Sequence, residues 1–297
     1  MHFLHELFNK QLRLAPEIPC TACGWTSEKQ SYCSYFSHVK LIEGASDQGI
    51  WTLGSKFILS ERGSDPPNVA ARNLRFIKEN TSIPVPTIIA EWEEDNGRYF
   101  TIEERMPGKE LQEVWSTLNE NDKKKIAKQT ADYAQQLRAL QSDSIQSLGG
   151  EGAYSDWLFG GSPSSPHGPL SSDGELWEEL NSGLKESGAV RDRLRERMPP
   201  SKPYTFTHGF LSTFTVMVEN GNVTGILGWE GSGYFPCWWE GTKSRVGVTI
   251  EDMEFKSFLW QYMPGNKEAY EFWADIRALR EDDDSCERRK QLLKDAY

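Results

Sequence analysis

The sequence has no run of apolar residues that approaches the roughly 20 needed to cross a bilayer. The stretch from Met1 to Leu14 mixes charged and polar residues among apolar ones and contains no signal-peptide core. Cysteine is scarce: five occur in 297 residues, an odd number scattered along the chain. Such usage fits a reducing compartment better than a disulfide framework. The sequence therefore predicts a cytoplasmic protein.

Positive charge is also in deficit, because 33 Lys and Arg residues face 44 Asp and Glu residues and the formal net charge is −11. Nucleic-acid binding requires a basic face that neutralises phosphates. Anionic membrane surfaces likewise attract basic segments. We expect neither a nucleic-acid partner nor a membrane partner.

The cysteine spacing contains half of a possible zinc site, Cys20-Thr-Ala-Cys23 with Cys33 nearby. A second pair is missing, since Cys237 and Cys286 lie far away with unrelated spacing. Buried or free thiols are the simpler interpretation, and we expect no metal.

Tryptophan, in contrast, is abundant, with 11 residues in the chain. Aromatic side chains at this density form either a bulky core or the wall of a pocket for an apolar, planar ligand. The sequence alone leaves both interpretations open.

The first third of the chain has the pattern of a β-rich unit. Residues 38–61 contain three short strand-like runs, and residues 68–80 have the period of a short helix. Residues 88–103 are typical of a hairpin, with Asp95-Asn-Gly97 as its turn.

Beyond this point the pattern becomes helical, beginning with Asp122 to Leu140. One strand, turn and strand interrupts it at residues 216–227. We therefore predict an α+β fold of two lobes: a β-rich N-terminal lobe over residues 1–105 and a mainly helical C-terminal lobe over residues 106–297.

The chemically informative stretch runs from Tyr204 to Val218 and contains Thr-His-Gly-Phe-Leu-Ser-Thr-Phe-Thr. Shortly afterwards, Gly225 to Glu230 reads Gly-Ile-Leu-Gly-Trp-Glu. These segments resemble the aminoglycoside-phosphotransferase-like family, in particular its fungal branch, and the resemblance implies a protein-kinase-like fold. Further segments carry it in the same order: Glu79–Pro86, Glu104–Gly108, Asn222–Gly225, Gly233–Pro236 and Trp238–Glu240.

The resemblance also implies where the chemistry of the family should lie. The family has a catalytic Asp that orients the attacking hydroxyl, and an Asn and a second Asp that hold magnesium. In this sequence the catalytic Asp is replaced by Phe210, the Asn by Thr215 and the second Asp by Gly228.

The first lobe departs from the family in the same way. The lysine that grips nucleotide phosphates aligns with Ser60, and its glutamate partner aligns with Ala70 or Ala71. Lys56 has the same strand parity as Ser60 but lies four residues away, about 13 Å at the rise of a strand.

These replacements remove what phosphate transfer requires. The reaction depends on positioning and on charge neutralisation by metal ions and a lysine, and magnesium demands a near-octahedral cage of oxygen ligands. Phe210 and Gly228 have no side-chain oxygen, and Thr215 has one neutral hydroxyl. We expect no phosphate transfer, no metal and no cofactor.

Two functions remain open. The aligned positions carry no charge, so a cleft between the lobes would accept an apolar molecule without desolvating unpaired charges. This favours a cofactor-independent cyclase, a pericyclase of the Diels–Alder type or an isomerase that acts on an apolar intermediate in fungal secondary metabolism. The alternative is a non-catalytic pseudokinase that binds a protein partner or acts as a scaffold, and residual phosphate transfer is the least favoured reading.

The candidate catalytic residues are His208, as a general acid or base, and Ser212 and Thr215, as hydrogen-bond donors. In the family the matching histidine usually braces its loop, so a structural role for His208 also stays open. The candidate substrate-binding residues are Ser60, Glu104, Trp157, Phe210, Phe214, Gly228, Trp229 and Glu230. Of the aromatic candidates outside the motif, Trp157 is the best pocket wall, because it lies in a loop rich in Gly, Ser and Pro.

Overall fold

The computed structural model describes residues 39–45, 48–65, 67–263, 266–281, 283 and 285–294. Strands dominate the first third of these residues and helices the remainder, which confirms the predicted α+β class. The described residues separate into two compact units. The first contains those up to Ala71 together with Pro86–Arg105, and the second contains Arg72–Val85 and the residues from Met106 onward.

The first unit is one antiparallel sheet. Its strands are β1 (Val39–Ala45), β2 (Gln48–Leu53), β3 (Phe57–Arg62), β4 (Ile88–Glu93) and β5 (Tyr99–Glu104). They lie in the order β1-β2-β3-β5-β4, so three neighbouring pairs are connected by short segments and β3 pairs with β5.

Strands β4 and β5 form the predicted hairpin. The turn is closed by two backbone hydrogen bonds, from Glu94 N to Arg98 O at 2.9 Å and from Gly97 N to Glu94 O at 2.8 Å. Gly97 has a φ of +78°, a conformation that side chains with a Cβ rarely adopt. The Asp-Asn-Gly sequence thus sets the position of this turn, as predicted.

The remaining strands are short and belong to the second unit. They are β6 (Lys109–Glu110), β7 (Gln141–Ser142), β8 (Tyr204–Thr207), β9 (Val216–Glu219), β10 (Asn222–Ile226) and β11 (Gly233–Pro236). They form two three-stranded sheets, in the orders β10-β9-β6 and β11-β8-β7.

The helices of the described residues lie mostly in the second unit. They are α1 (Ala70–Asn80), α2 (Leu111–Val114), α3 (Glu120–Leu137), α4 (Asp156–Phe159), α5 (Asp173–Asn181), α6 (Gly188–Glu196), α7 (Trp239–Lys243), α8 (Ile250–Tyr262), α9 (Lys267–Arg280) and α10 (Glu287–Lys294). No helix among the described residues combines the length and the apolar character that crossing a membrane requires.

Helix α3 shows how sequence signals set its limits. It begins where the Asn119 side chain accepts a hydrogen bond from Asp122 N at 3.0 Å, an N-cap that satisfies one of the free N–H groups. The predicted apolar stripe is buried at Ile126, Thr130 and Leu137. The helix ends at Leu137 and not at the predicted Leu140, because the next N–H groups bond to carbonyls three residues back in a tighter turn.

Tryptophan contributes mainly to the core of the second unit. Its buried tryptophans are Trp115, Trp177, Trp229, Trp238, Trp239 and Trp273. Several pack edge to face, for example Trp239 against Trp273 with ring centroids 5.9 Å apart. Of the two interpretations left open by the tryptophan content, the core accounts for these six.

Candidate functional site

The loop that follows β8 carries the motif expected to hold the chemistry. All four residues of β8 are buried, and the strand pairs with β11 on one side and β7 on the other. The chain leaves β8 at His208 and turns at Gly209, whose φ is +80°. The motif therefore starts from a fixed point in the core.

His208 is buried and both of its ring nitrogens are engaged. Nε2 donates to Leu227 O at 2.8 Å, and Nδ1 accepts from Phe210 N at 3.1 Å. Burial lowers the pKa of His208 to about 4, since the backbone acceptor at Leu227 offsets only part of the loss of solvation. The ring is neutral at physiological pH and braces the loop, while a catalytic role for it stays a prediction.

Ser212 and Thr215 are also committed to backbone groups. The Thr215 hydroxyl donates to Phe210 O at 3.0 Å and accepts from Ser212 N at 3.1 Å. The Ser212 hydroxyl accepts from Phe214 N at 3.3 Å. These bonds close residues 210–215 into a compact turn that presents the half-buried rings of Phe210 and Phe214.

Gly228 lies against this turn and leaves no room for a larger residue. Its φ is +82°, and a Cβ built on it would lie 2.9 Å from Cγ2 of Thr215. An aspartate at this position would therefore meet both backbone strain and a steric clash. The glycine and the threonine fit each other.

Trp229 and Glu230 differ in their surroundings. Trp229 is only 1% exposed, its Nε1 donates to Ile226 O at 2.8 Å, and its ring packs edge to face on His208 at 4.6 Å. It is thus part of the core, and its predicted contact with substrate stays a prediction. Glu230 is half-buried.

Glu240 on α7 is a member of the site to which the sequence assigned no role. Its Oε2 accepts from His208 N at 2.6 Å and from Gly209 N at 3.2 Å, while Oε1 has no hydrogen-bond partner. Burial raises the pKa of Glu240 to about 7 against the effect of these two bonds. The signal available in the sequence was the Trp238-Trp-Glu240 segment, whose glutamate follows two core tryptophans.

Two buried lysines lie near Phe210, and neither was predicted. Lys243 ends α7 and Lys256 lies on α8, and each Nζ is 5.7 Å from the centroid of the Phe210 ring. Lys256 forms an ion pair with Asp252 at 3.2 Å and donates to Val246 O at 2.6 Å. Lys243 forms neither a hydrogen bond nor an ion pair within the described part of the chain, and its Nζ lies 3.0 Å from the centroid of the Trp157 ring.

Trp157 therefore lies next to the motif, and its role as a pocket wall stays a prediction. It belongs to the four-residue helix α4 and is half-buried. Trp273 holds it in place: the Nε1 of Trp273 donates to Trp157 O at 2.8 Å, and the two rings stack with centroids 6.3 Å apart. Trp157, Lys243 and Phe210 form a cluster that we call the amine corner.

Ser60 and Glu104 are the two candidates that belong to the first unit. In the sheet Ser60 of β3 faces Thr101 of β5, whereas Glu104 faces Phe57. The two candidates are thus three residue pairs apart, about 10 Å at the rise of a strand. The structure gathers the other predicted site residues in the second unit.

The described residues contain no group of three or more His, Cys, Asp or Glu side chains that could hold a metal ion. The cysteines considered for zinc, Cys20, Cys23 and Cys33, lie outside the described residues. Cys237 and Cys286 are free thiols.

Comparison with known families decides the relationship of the chain. A model of the phosphotransferase enzyme family matches residues 69–255, more than half of the sequence. The chain belongs to this family. The resemblance to this family is thereby confirmed, while the fungal branch stays a prediction. A search of curated proteins finds no match.

Solved structures of aminoglycoside phosphotransferases share the fold. The enzyme APH(4)-Ia superposes with a TM-score of 0.55 at 14% identity, over 88% of this chain and 92% of its own. ADP-bound APH(2'')-Ib gives 0.54 at 13% identity, over 99% and 95%. The ternary complex of APH(2'')-IIa with streptomycin and ATP gives 0.52 at 13% identity over the same shares. The TM-scores establish a shared kinase-like fold, and at such low identity function has to be argued from the site.

Proposed function

We propose that this member of the phosphotransferase family transfers no phosphate and is a cofactor-independent enzyme acting on an apolar small molecule. The observation that carries the proposal is the pair Phe210 and Gly228. The family places carboxylates at the two positions, and this chain has a hydrocarbon ring and a hydrogen atom. The degenerate motif is thus a change in chemistry at the centre of the site.

A magnesium ion with nucleotide, which the family implies, does not fit these residues. Magnesium requires several oxygen ligands at short distance. Phe210 and Gly228 supply none, and the single hydroxyl of Thr215 already donates to one backbone group and accepts from another. Restoring an aspartate at position 228 is opposed by its φ of +82° and by the methyl group of Thr215.

The residues present suit a reaction that depends on shape. Phe210, Phe214 and Trp157 offer half-buried aromatic surface against which an apolar chain can fold. Holding reacting groups in one geometry can lower a barrier by about 7–11 kcal/mol at best. Cyclisation, a pericyclic reaction or an isomerisation needs neither metal nor nucleotide, and we place this one in fungal secondary metabolism, as the resemblance to the fungal branch implies.

A non-catalytic pseudokinase is the second candidate, and one observation favours it. The polar atoms of His208, Ser212 and Thr215 are engaged with backbone groups of the loop itself. A site whose own side chains satisfy one another needs no ligand to be stable. In this case the fold would serve to bind a protein partner.

The decisive test of lost phosphate transfer is binding of ATP with magnesium. We expect the melting temperature and the calorimetric heat to remain unchanged at millimolar ATP and Mg²⁺. A ligand present at 100 times its Kd would stabilise the fold by about 2.7 kcal/mol, which thermal unfolding detects easily. A catalytically active family member is the positive control, and a clear upward shift for this chain would refute the proposal.

The enzyme and the pseudokinase are separated by metabolite analysis of the host organism. Deleting the gene should cause a substrate isomer or an uncyclised precursor to accumulate, detected by liquid chromatography with mass spectrometry. An unchanged metabolite profile together with a protein partner recovered by cross-linking would favour the pseudokinase.

A further inference from the structure

We propose that Lys243 is a nucleophilic amine that captures carbonyl-bearing small molecules as imines in the amine corner. This inference rests on the proposed function, because it assigns to the apolar substrate an aldehyde or a ketone and to the site the group that activates it. Lys243 does not correspond to the phosphate-binding lysine of the family, which aligns with Ser60 in this sequence.

The first argument is that Lys243 is buried and has no hydrogen bond or ion pair among the described residues. Lys243 and Lys256 are each 3% exposed and lie at the same distance from the Phe210 ring. Lys256 bonds to a carboxylate and to a carbonyl. Lys243 lies against the Trp157 and Phe210 rings and has no hydrogen bond or ion pair to an oxygen among the described residues, so its ammonium form lost water without gaining a bonded partner there.

The second argument is the charge that surrounds the amine. The positive groups that face it are Lys256 on α8 and Arg277 on α9, and the negative groups are Asp252 on α8 and Asp156 on α4. Burial, followed by repulsion from Lys256, holds the pKa of Lys243 well below its usual value. A lysine desolvated in an apolar site beside a second cation is the known environment of amines that attack carbonyl groups.

The aromatic rings act in the opposite direction, since a cation over a ring face is stabilised by about 0.5–2 kcal/mol. The Trp157 ring is shared, however, because the guanidinium of Arg277 also lies over it, 4.4 Å from the centroid. A permanently charged guanidinium thus competes for the same ring, and desolvation decides the state of Lys243.

The chemistry balances without an added cofactor. The nitrogen lone pair of Lys243 forms a bond to the carbonyl carbon, the π electrons move to oxygen, and a proton passes from nitrogen to that oxygen. Loss of water from this carbinolamine gives the imine. Once protonated, the imine withdraws electrons from adjacent C=C bonds, which promotes double-bond shifts and cycloaddition, and hydrolysis returns the free amine.

The Trp157 and Phe210 rings beside the amine are half-buried, so each has part of its side chain exposed to solvent. Trp157 lies on α4, a helix of one turn that is followed by Gly160 and Gly161, both with positive φ. An aromatic aldehyde would approach by displacing the Trp157 side chain and stacking in its place, while the hydrogen bond from Trp273 keeps the Trp157 main chain where it is.

The test is reductive trapping with benzaldehyde and sodium cyanoborohydride at pH 7, followed by peptide mapping on the intact full-length protein. We expect Lys243 to be benzylated about tenfold faster than exposed Lys267, because each unit by which a pKa falls toward the working pH raises the free-amine fraction tenfold. Lys256 is the matched internal control: it is equally buried but paired, and it should remain unmodified. Modification of Lys267 without Lys243, or equal modification of Lys243 and Lys256, would overturn the proposal.

Two variants complete the design. Lys243→Met should abolish trapping at this position, and Lys243→Arg, which keeps a long nitrogen-bearing side chain but has no primary amine, should do the same with an unchanged near-UV circular dichroism spectrum. If either variant fails to fold, the map of the natural protein alone still decides the question.

Parallel titration with ATP and magnesium keeps the two proposals apart. Failure of trapping without nucleotide binding removes the imine and leaves the loss of phosphate transfer intact. Nucleotide binding would instead refute the proposed function, and with it this role of Lys243 in catalysis.

Discussion

Helices α7 and α8 each carry a buried acid and a buried lysine, but only the two side chains on α8 form an ion pair with each other. On α8 Asp252 and Lys256 lie four residues apart and form an ion pair at 3.2 Å. On α7 Glu240 and Lys243 lie three residues apart, and within the described residues neither has an ion-pair partner. Glu240 bonds to backbone N–H groups and Lys243 faces aromatic rings.

The difference indicates a structural role for the charged pair on α8 and a functional role for the two groups on α7. A buried pair that is satisfied, such as Asp252 with Lys256, fixes structure, since removing one partner leaves the other charge uncompensated. Burial also lowers the pKa of Lys256, but Asp252 opposes that shift, whereas in the groups kept apart the pKa of Glu240 rises to about 7 and that of Lys243 falls well below its usual value. Perturbed groups of this kind concentrate at functional sites.

The largest expected effect is the loss of stability when the ion pair on α8 is broken. Lys256→Met leaves Asp252, which is fully buried, without its cation, and should destabilise the fold by about 3–5 kcal/mol. Lys243→Met removes an amine that has no hydrogen bond or ion pair among the described residues, and should change stability by less than about 1 kcal/mol because an amine with a strongly lowered pKa contributes little charge to the contact with the rings. Urea denaturation of both variants measures the contrast.

Equal losses in the two methionine variants would show that Lys243 is a structural charge like Lys256. The comparison of the two helices would then have no functional meaning. The double variant adds a check, since nearby sites that share Phe210 are expected to couple.

The second effect concerns Glu240 and pH. Because its pKa in the folded state is about 7 against 4.5 for the free side chain, the folded protein holds this proton more tightly than the unfolded chain. The resulting stabilisation is complete below pH 4.5 and is lost as pH rises through 7, a change of about 3 kcal/mol at most. Glu240→Gln, with a neutral acceptor, should remove this slope in thermal unfolding between pH 5 and 8.

Glu219→Gln is the control for this experiment, because it removes one negative charge at an exposed position. It should retain the slope of the natural protein. A slope that persists in Glu240→Gln as well would assign the titration to another group.

The α+β class and several of its elements could be predicted from the sequence, because their signals are local and repeated. The Asp95-Asn-Gly97 turn and the apolar stripe of α3 each determine their element without help from distant residues. Strand β8 and helix α7 were not predicted, because four or five residues buried on all sides show no period.

The site was only partly predictable for a related reason. Phe210, Thr215 and Gly228 were identified from their positions in the motif, and the structure shows that Gly228 lies against Thr215. Lys243 and Lys256 were missed, because nothing in the local sequence tells a solvated lysine from a buried one. Their importance arises from packing against Phe210, which only the folded chain reveals.

The smallest expected effect comes from a variant that places a carboxylate beside Lys243, as Asp252 lies beside Lys256. In Phe210→Asp a carboxylate replaces a ring that now lies 5.7 Å from both amines, which should raise the pKa of Lys243 by at least about one unit. Benzaldehyde trapping should fall about tenfold relative to Phe210→Asn, a variant of matched size without charge. Equal trapping in the two variants would show that charge does not control the amine. Phe210→Asp should not recover binding of ATP with magnesium, because Gly228 still supplies no ligand. The carboxylate would therefore form a second structural ion pair in the amine corner and would not restore a kinase site.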